Sequence, residues 1–73
     1  MSSMKTKGFI ENLKLLMKEH HLSQSALSKQ TDIPQTCISS WLTEKHEPKL
    51  EYLWKLADYF DLTLDELVGR TPF

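Results

Sequence analysis

Apolar residues recur along this chain at the three-to-four-residue spacing of α-helices, in five successive runs with no strand-like alternation. In the first, predicted from about Gly8 to His20, Phe9, Leu13, Leu16 and Met17 share a face, with Glu11, Lys14 and Lys18 opposite. Ser23 is a good N-cap for a second helix, because its hydroxyl can accept an orphan backbone N–H. Ala26, Leu27 and Gln30 continue that helix until Thr31-Asp32 interrupts it. Pro34 restarts the chain, since its fixed φ suits a first helical turn and its missing N–H costs nothing there. Ile38, Trp41 and Leu42 then fall at i, i+3 and i+4, an apolar stripe that can face a core. Residues 43–47 are polar and loop-like, and Pro48 draws Glu47 away from helical geometry. A fourth helix over about Lys49 to Phe60 carries Leu50, Leu53, Trp54, Ala57 and Phe60 as a broad apolar face. Thr63-Leu64-Asp65-Glu66 spells a capping box, so a short fifth helix runs to about Val68 and Gly69 stops it.

Short connections force these helices into one bundle. The predicted organisation is a polar lead-in over residues 1–7, one all-α domain over 8–69 and a tail over 70–73. At 73 residues the core is marginal unless the helices pack closely.

The third helix is the unusual one. Its apolar stripe accounts for one side, and Gln35, Thr36, Ser39 and Ser40 occupy the others without a single charge. Serines are poor helix formers, so their presence on a helix surface asks for a reason. Amides and hydroxyls can hydrogen-bond base edges, and a helix buried on one side and set with such groups on the other suits the DNA major groove. Net charge is −1, which is low for a nucleic-acid binder, but the distribution is polarised. Residues 1–31 carry +3 and residues 32–73 carry −4, and the local field at a contact face matters more than the total.

Other classes find little support. No apolar run approaches the ~18 residues of a membrane span and no signal-peptide pattern opens the chain, so a cytoplasmic location is expected. The single cysteine excludes an internal disulfide; Cys37 reads as a small hydrophobe turned partly into the core. His20 and His21 cannot share a helical face, and with His46 they offer no metal-ligand spacing, so neither metal nor cofactor is expected. There is no Gly-rich phosphate loop and no nucleophile–base arrangement, which argues against an enzyme. Trp41, Trp54, Tyr52 and Tyr59 read as core or core-edge aromatics, and Asp58, Asp61, Asp65 and Glu66 as caps and a solvated face.

Taken in order, several short pieces resemble the Cro/repressor-type, or xenobiotic-response-element, helix-turn-helix family. They are Leu22-Ser23-Gln24, Leu27, Ile33, Ile38, Pro48 and the tail Leu-x-x-Leu-Ala-Asp-Tyr-Phe-Asp-Leu-Thr-Leu-Asp-Glu-Leu from Leu53 to Leu67. The resemblance covers about Phe9 to Gly69 and implies a five-helix, lambda-repressor-like bundle whose second and third helices form the helix-turn-helix. The chain departs from the pattern at Asp32, Glu44 and Asp61, where the family often has Gly; Asp tolerates left-handed geometry better than most residues. It departs again at Leu42 and Met17, which replace a family Glu–Arg ion pair by two apolar residues. Such a paired change leaves no lone charge, and it predicts contact between Met17 and Leu42.

The resemblance also assigns roles. Gln35, Thr36, Ser39 and Ser40 match base-contacting positions or their neighbours. Gln24, Thr43, Lys45 and His46 match positions that grip the phosphate backbone, with Gln24 placed to brace Gln35 through a hydrogen bond. The implied function is a sequence-specific transcriptional regulator, a repressor, binding two-fold double-stranded DNA as a homodimer. Leu64, Leu67, Val68 and Phe73 are the apolar candidates for the dimer face. Two alternatives share the fold: an antitoxin-like regulator that also binds a partner protein, and a helical interaction module without DNA binding.

Overall fold

A computed structural model describes residues 6–71 of the chain. Among them five helices and no strand are found: α1 (Thr6–Glu19), α2 (Gln24–Thr31), α3 (Gln35–Leu42), α4 (Leu50–Phe60) and α5 (Leu64–Leu67). This is the expected all-α, lambda-repressor-like order. The ends differ from the sequence reading by a residue or two. Helix α1 begins before Gly8 and stops before His20, and Pro34 and Lys49 sit at N-cap positions rather than inside their helices.

The starts follow the predicted chemistry. Ser23 Oγ accepts the Ala26 N–H at 3.0 Å. Thr63 Oγ1 accepts the Glu66 N–H at 3.1 Å while Glu66 Oε1 accepts the Thr63 N–H at 2.9 Å, the reciprocal pair of a capping box.

The helix ends share a device that the sequence reading found only in part. In α1, α3, α4 and α5 the last turn closes with a paired set of backbone bonds, as in Leu22 N–H to Met17 carbonyl and His21 N–H to Lys18 carbonyl. This is the Schellman arrangement, whose pivot residue must be left-handed. The pivots are His21 (φ 56°), Glu44 (φ 61°), Asp61 (φ 58°) and Gly69 (φ 88°). Asp32 ends α2 in the same region, at φ 60°. The chain therefore keeps its turns at Asp32, Glu44 and Asp61 without glycine.

One core joins all five helices. Phe9, Leu13, Leu27, Ile33, Ile38, Leu56 and Leu67 are its most deeply buried large side chains. Met17 belongs to it, and Leu42 packs against it half-buried, which is compatible with the predicted pairing. Asn12, a polar residue on α1, donates its side-chain amide to the carbonyls of Glu66 (3.1 Å) and Leu67 (3.2 Å), tying α1 to the last carbonyls of α5.

Three expectations are corrected. The buried face of α4 is Leu53, Leu56, Ala57 and Phe60, whereas Leu50 and Trp54 are 53% and 55% exposed. Their positions lie around the helix from that face, so counting every apolar residue as core overstated its width. Trp54 and Tyr59 are accordingly exposed, while Trp41 is buried and Tyr52 half-buried. Finally, Leu67 is fully buried beneath α5 and is unavailable to a dimer partner. Leu64 and Val68 are half-buried against the core, and Phe73 lies outside the described residues.

Candidate nucleic-acid interface

Helix α3 is held by its apolar side. Ile38 is fully buried and Trp41 nearly so. The Trp41 ring packs against Phe9 of α1 and Tyr52 of α4, each at a centroid distance of 5.8 Å, so two neighbouring helices hold it. The turn into α3 is equally constrained. Ile33 is buried, Ser28 Oγ donates to the Ile33 carbonyl, and Lys55 Nζ donates to the Asp32 carbonyl at 3.3 Å. The Pro34 carbonyl then accepts the N–H groups of Cys37 and Ile38 at 3.0 and 3.3 Å, which starts the helix.

With one side fixed, the other is set. Gln35 and Thr36 are exposed in the first turn, and Ser39 and Ser40 are half-buried further along. No charged residue occurs in α3. Gln24 is half-buried at the first position of α2, and no hydrogen bond among the described residues joins it to Gln35. The expected brace between the two glutamines is therefore absent from this structure.

Thr36 and Ser40 share a cleft with Cys37, Trp41, His46, Glu47, Lys49 and Tyr52, of about 280 Å³. This cleft brings residues expected to face bases (Thr36, Ser40) beside one expected to face phosphate (His46). It adds Lys49, which the sequence reading did not name as a candidate. The sequence signal was Pro48, which ends the loop and leaves the next residue, Lys49, at the N-cap of α4. Partial burial, aided by the neighbouring Cys37 thiol and then Glu51, pushes the Tyr52 hydroxyl above its ordinary pKa.

Thr43 and Lys45 fit their expected roles less evenly. Lys45 is exposed and lines a second hollow with Ile10, Glu44, His46 and Glu47, where two carboxylates offset its charge. Thr43 Oγ1 donates to the carbonyls of Ser39 (2.9 Å) and Ser40 (3.3 Å), and its N–H also serves the end of α3. A phosphate only accepts hydrogen bonds, so Thr43 must give up its helix contacts to donate to one. In this structure it works as a C-terminal cap of α3.

Comparison with known proteins gives this arrangement a lineage. A helix-turn-helix family model matches residues 13–67. An HTH-type transcriptional activator, BcrR, of Enterococcus faecalis is 35% identical over 61 residues, covering 84% of this chain and 30% of that protein. An HTH-type transcriptional regulator of Coxiella burnetii is 36% identical over 62 residues, covering 84% of this chain and 29% of its own length. The crystal structure of a transcriptional regulator from Listeria innocua superposes with a TM-score of 0.76 at 34% identity, over 89% of this chain and 61% of that one. The chain thus spans less than a third of the two curated relatives' length. All three are named as regulators of transcription rather than as enzymes. From the matched segment and the α2–turn–α3 geometry together, the chain belongs to the helix-turn-helix family, of the Cro/repressor type.

Proposed function

We propose that this chain is a sequence-specific DNA-binding transcriptional regulator that reads the major groove with α3. The observation that carries the proposal is the way α3 is mounted: Ile38 and Trp41 anchor it while Gln35 and Thr36 stand exposed at its start. Gln35 can pair with an adenine edge, and Thr36 offers a hydroxyl and a methyl suited to thymine. Ser39 and Ser40, being half-buried, reach only bases that come close to the helix. Gln24, Lys45, His46 and Lys49 supply phosphate contacts that hold register without reading sequence.

A homodimer on a two-fold operator follows from the small size of one such reading head. Half-sites lie about one helical turn apart, ~10 bp centre to centre. Leu64 and Val68 are the described apolar residues left for the dimer face. Repression is the expected effect, by occupancy of the promoter.

The test is affinity for duplex DNA as a function of salt. Binding through the named cations should weaken steeply, with a log–log slope of about −0.9 per phosphate neutralised. Lys49→Ala should make that slope shallower by about one phosphate. A flat salt response of the intact chain contradicts DNA binding.

A further inference from the structure

Leu50 and Trp54 lie four residues apart on α4, one turn above the other, and both are more than half exposed. In a chain whose other large hydrophobic residues mostly reach the core, an exposed Leu–Trp pair on one helix face stands out. On the other side of α4, Tyr52 packs against Trp41 and Lys55 reaches the Asp32 carbonyl, so those residues serve the helix-turn-helix and leave Leu50 and Trp54 outside it.

Two lysines bracket the pair in sequence, but Lys49 lines the cleft beside α3 and Lys55 reaches the Asp32 carbonyl, so the charges left around the pair are acidic. Glu51 follows Leu50, Asp58 stands one turn beyond Trp54, and Asp61 caps the same helix; all three are exposed. The ion pair found among the described residues, Arg70 with Asp65, involves none of them.

We propose that the Leu50–Trp54 face of α4 docks a partner protein through a segment that presents an apolar anchor flanked by lysines or arginines. Charge complementarity selects this occupant. A second copy offering the same face would set Glu51, Asp58 and Asp61 against their own kind, and DNA phosphates would be repelled outright. A basic partner gains attraction from the rim while its anchor covers the indole, and tryptophan is among the residues that concentrate binding energy at interfaces.

A library of random peptides displayed on phage, selected against the full chain, tests this. Enriched peptides should share a leucine or aromatic residue flanked by Lys or Arg. Their affinity should fall at least about tenfold for Trp54→Ala, and again for Glu51→Lys combined with Asp58→Lys. Both variants change exposed positions, and circular dichroism melts will show whether each keeps the wild-type fold. Three results overturn the proposal: no enrichment, enriched peptides without basic flanks, or binding indifferent to Trp54→Ala. Concentration-dependent self-association of the wild type that Trp54→Ala abolishes also overturns it, and assigns the face to a second copy.

Discussion

Gly8 and Gly69, the only glycines of the chain, face each other where the first turns of α1 meet the end of α5. A Cβ on Gly8 would stand 3.1 Å from the Val68 carbonyl oxygen, and one on Gly69 would stand 3.5 Å from the Gly8 Cα. Glycine inside a helix ordinarily forfeits about 1 kcal/mol relative to alanine. Here that loss permits the close approach of two backbones. Gly8→Ala should therefore fail to raise the melting temperature, because the added methyl presses on a carbonyl. Gly69→Ala should lower stability by about 1–2 kcal/mol, since φ is 88° at that position. A clear rise in melting temperature for either variant contradicts the packing described.

Glu44 presents the opposite case, a long charged residue in a left-handed position that suits glycine. Glu44→Gly should stabilise the fold by about 0.5–1 kcal/mol, the strain relieved less the added freedom of the unfolded chain. Glu44 also places a negative charge among Lys45 and His46. Glu44→Gln, which keeps the strain and removes the charge, should leave the melting temperature nearly unchanged and tighten DNA binding. If Gln raises stability as much as Gly does, charge rather than backbone geometry is the source.

Asn12 holds α5 in place through two hydrogen bonds to its last carbonyls, that of Glu66 also accepting the Gly69 N–H at 3.3 Å. Asn12→Leu conserves shape and removes both donors. A loss of about 1–2 kcal/mol is expected from urea unfolding, at roughly 1 kcal/mol per bond. An unchanged midpoint would mean that water replaces the amide without cost.

Met17 and Leu42 occupy the two positions at which the family resemblance implies an ion pair. Met17→Arg alone should cost about 3 kcal/mol or more, because it buries a lone charge at a position only 9% exposed. Adding Leu42→Glu should recover part of that loss, giving a favourable coupling of about 1 kcal/mol or more in a double-mutant cycle. Strictly additive effects would show that the two side chains do not meet.

Much of this fold was legible because its signals are local. Ser23 and the Thr63–Glu66 box act within one helical turn, so sequence alone places those helix starts. The Ile38–Trp41 stripe and the exposed Gln35 and Thr36 were legible for a similar reason, since helical spacing separates the two sides of α3. What escaped depends on neighbours distant in the chain. Nothing local distinguishes Leu50 and Trp54 from Leu53 and Leu56; the placement of α4 against the bundle decides which pair is covered. Asn12 looks like any surface amide until α5, 54 residues away, arrives above it. Thr43 resembled a phosphate ligand because its family position says so, whereas its hydroxyl is engaged by the helix it ends. Leu67 was offered to a partner because apolar residues of a short terminal helix look surplus until the core is seen to need them.

The central claim is that α3, clamped by Ile38 and Trp41, reads bases through Gln35 and Thr36. Selection of bound duplexes from a random pool, run in parallel with wild type, Gln35→Ala and Lys45→Ala, tests it most directly. Wild type should yield a two-fold consensus, and Gln35→Ala should relax preference at one position of each half-site, at a cost of about 1–3 kcal/mol. Lys45→Ala should weaken every sequence alike and leave the consensus unchanged. No consensus for the wild type, or an identical one for Gln35→Ala, would contradict the account.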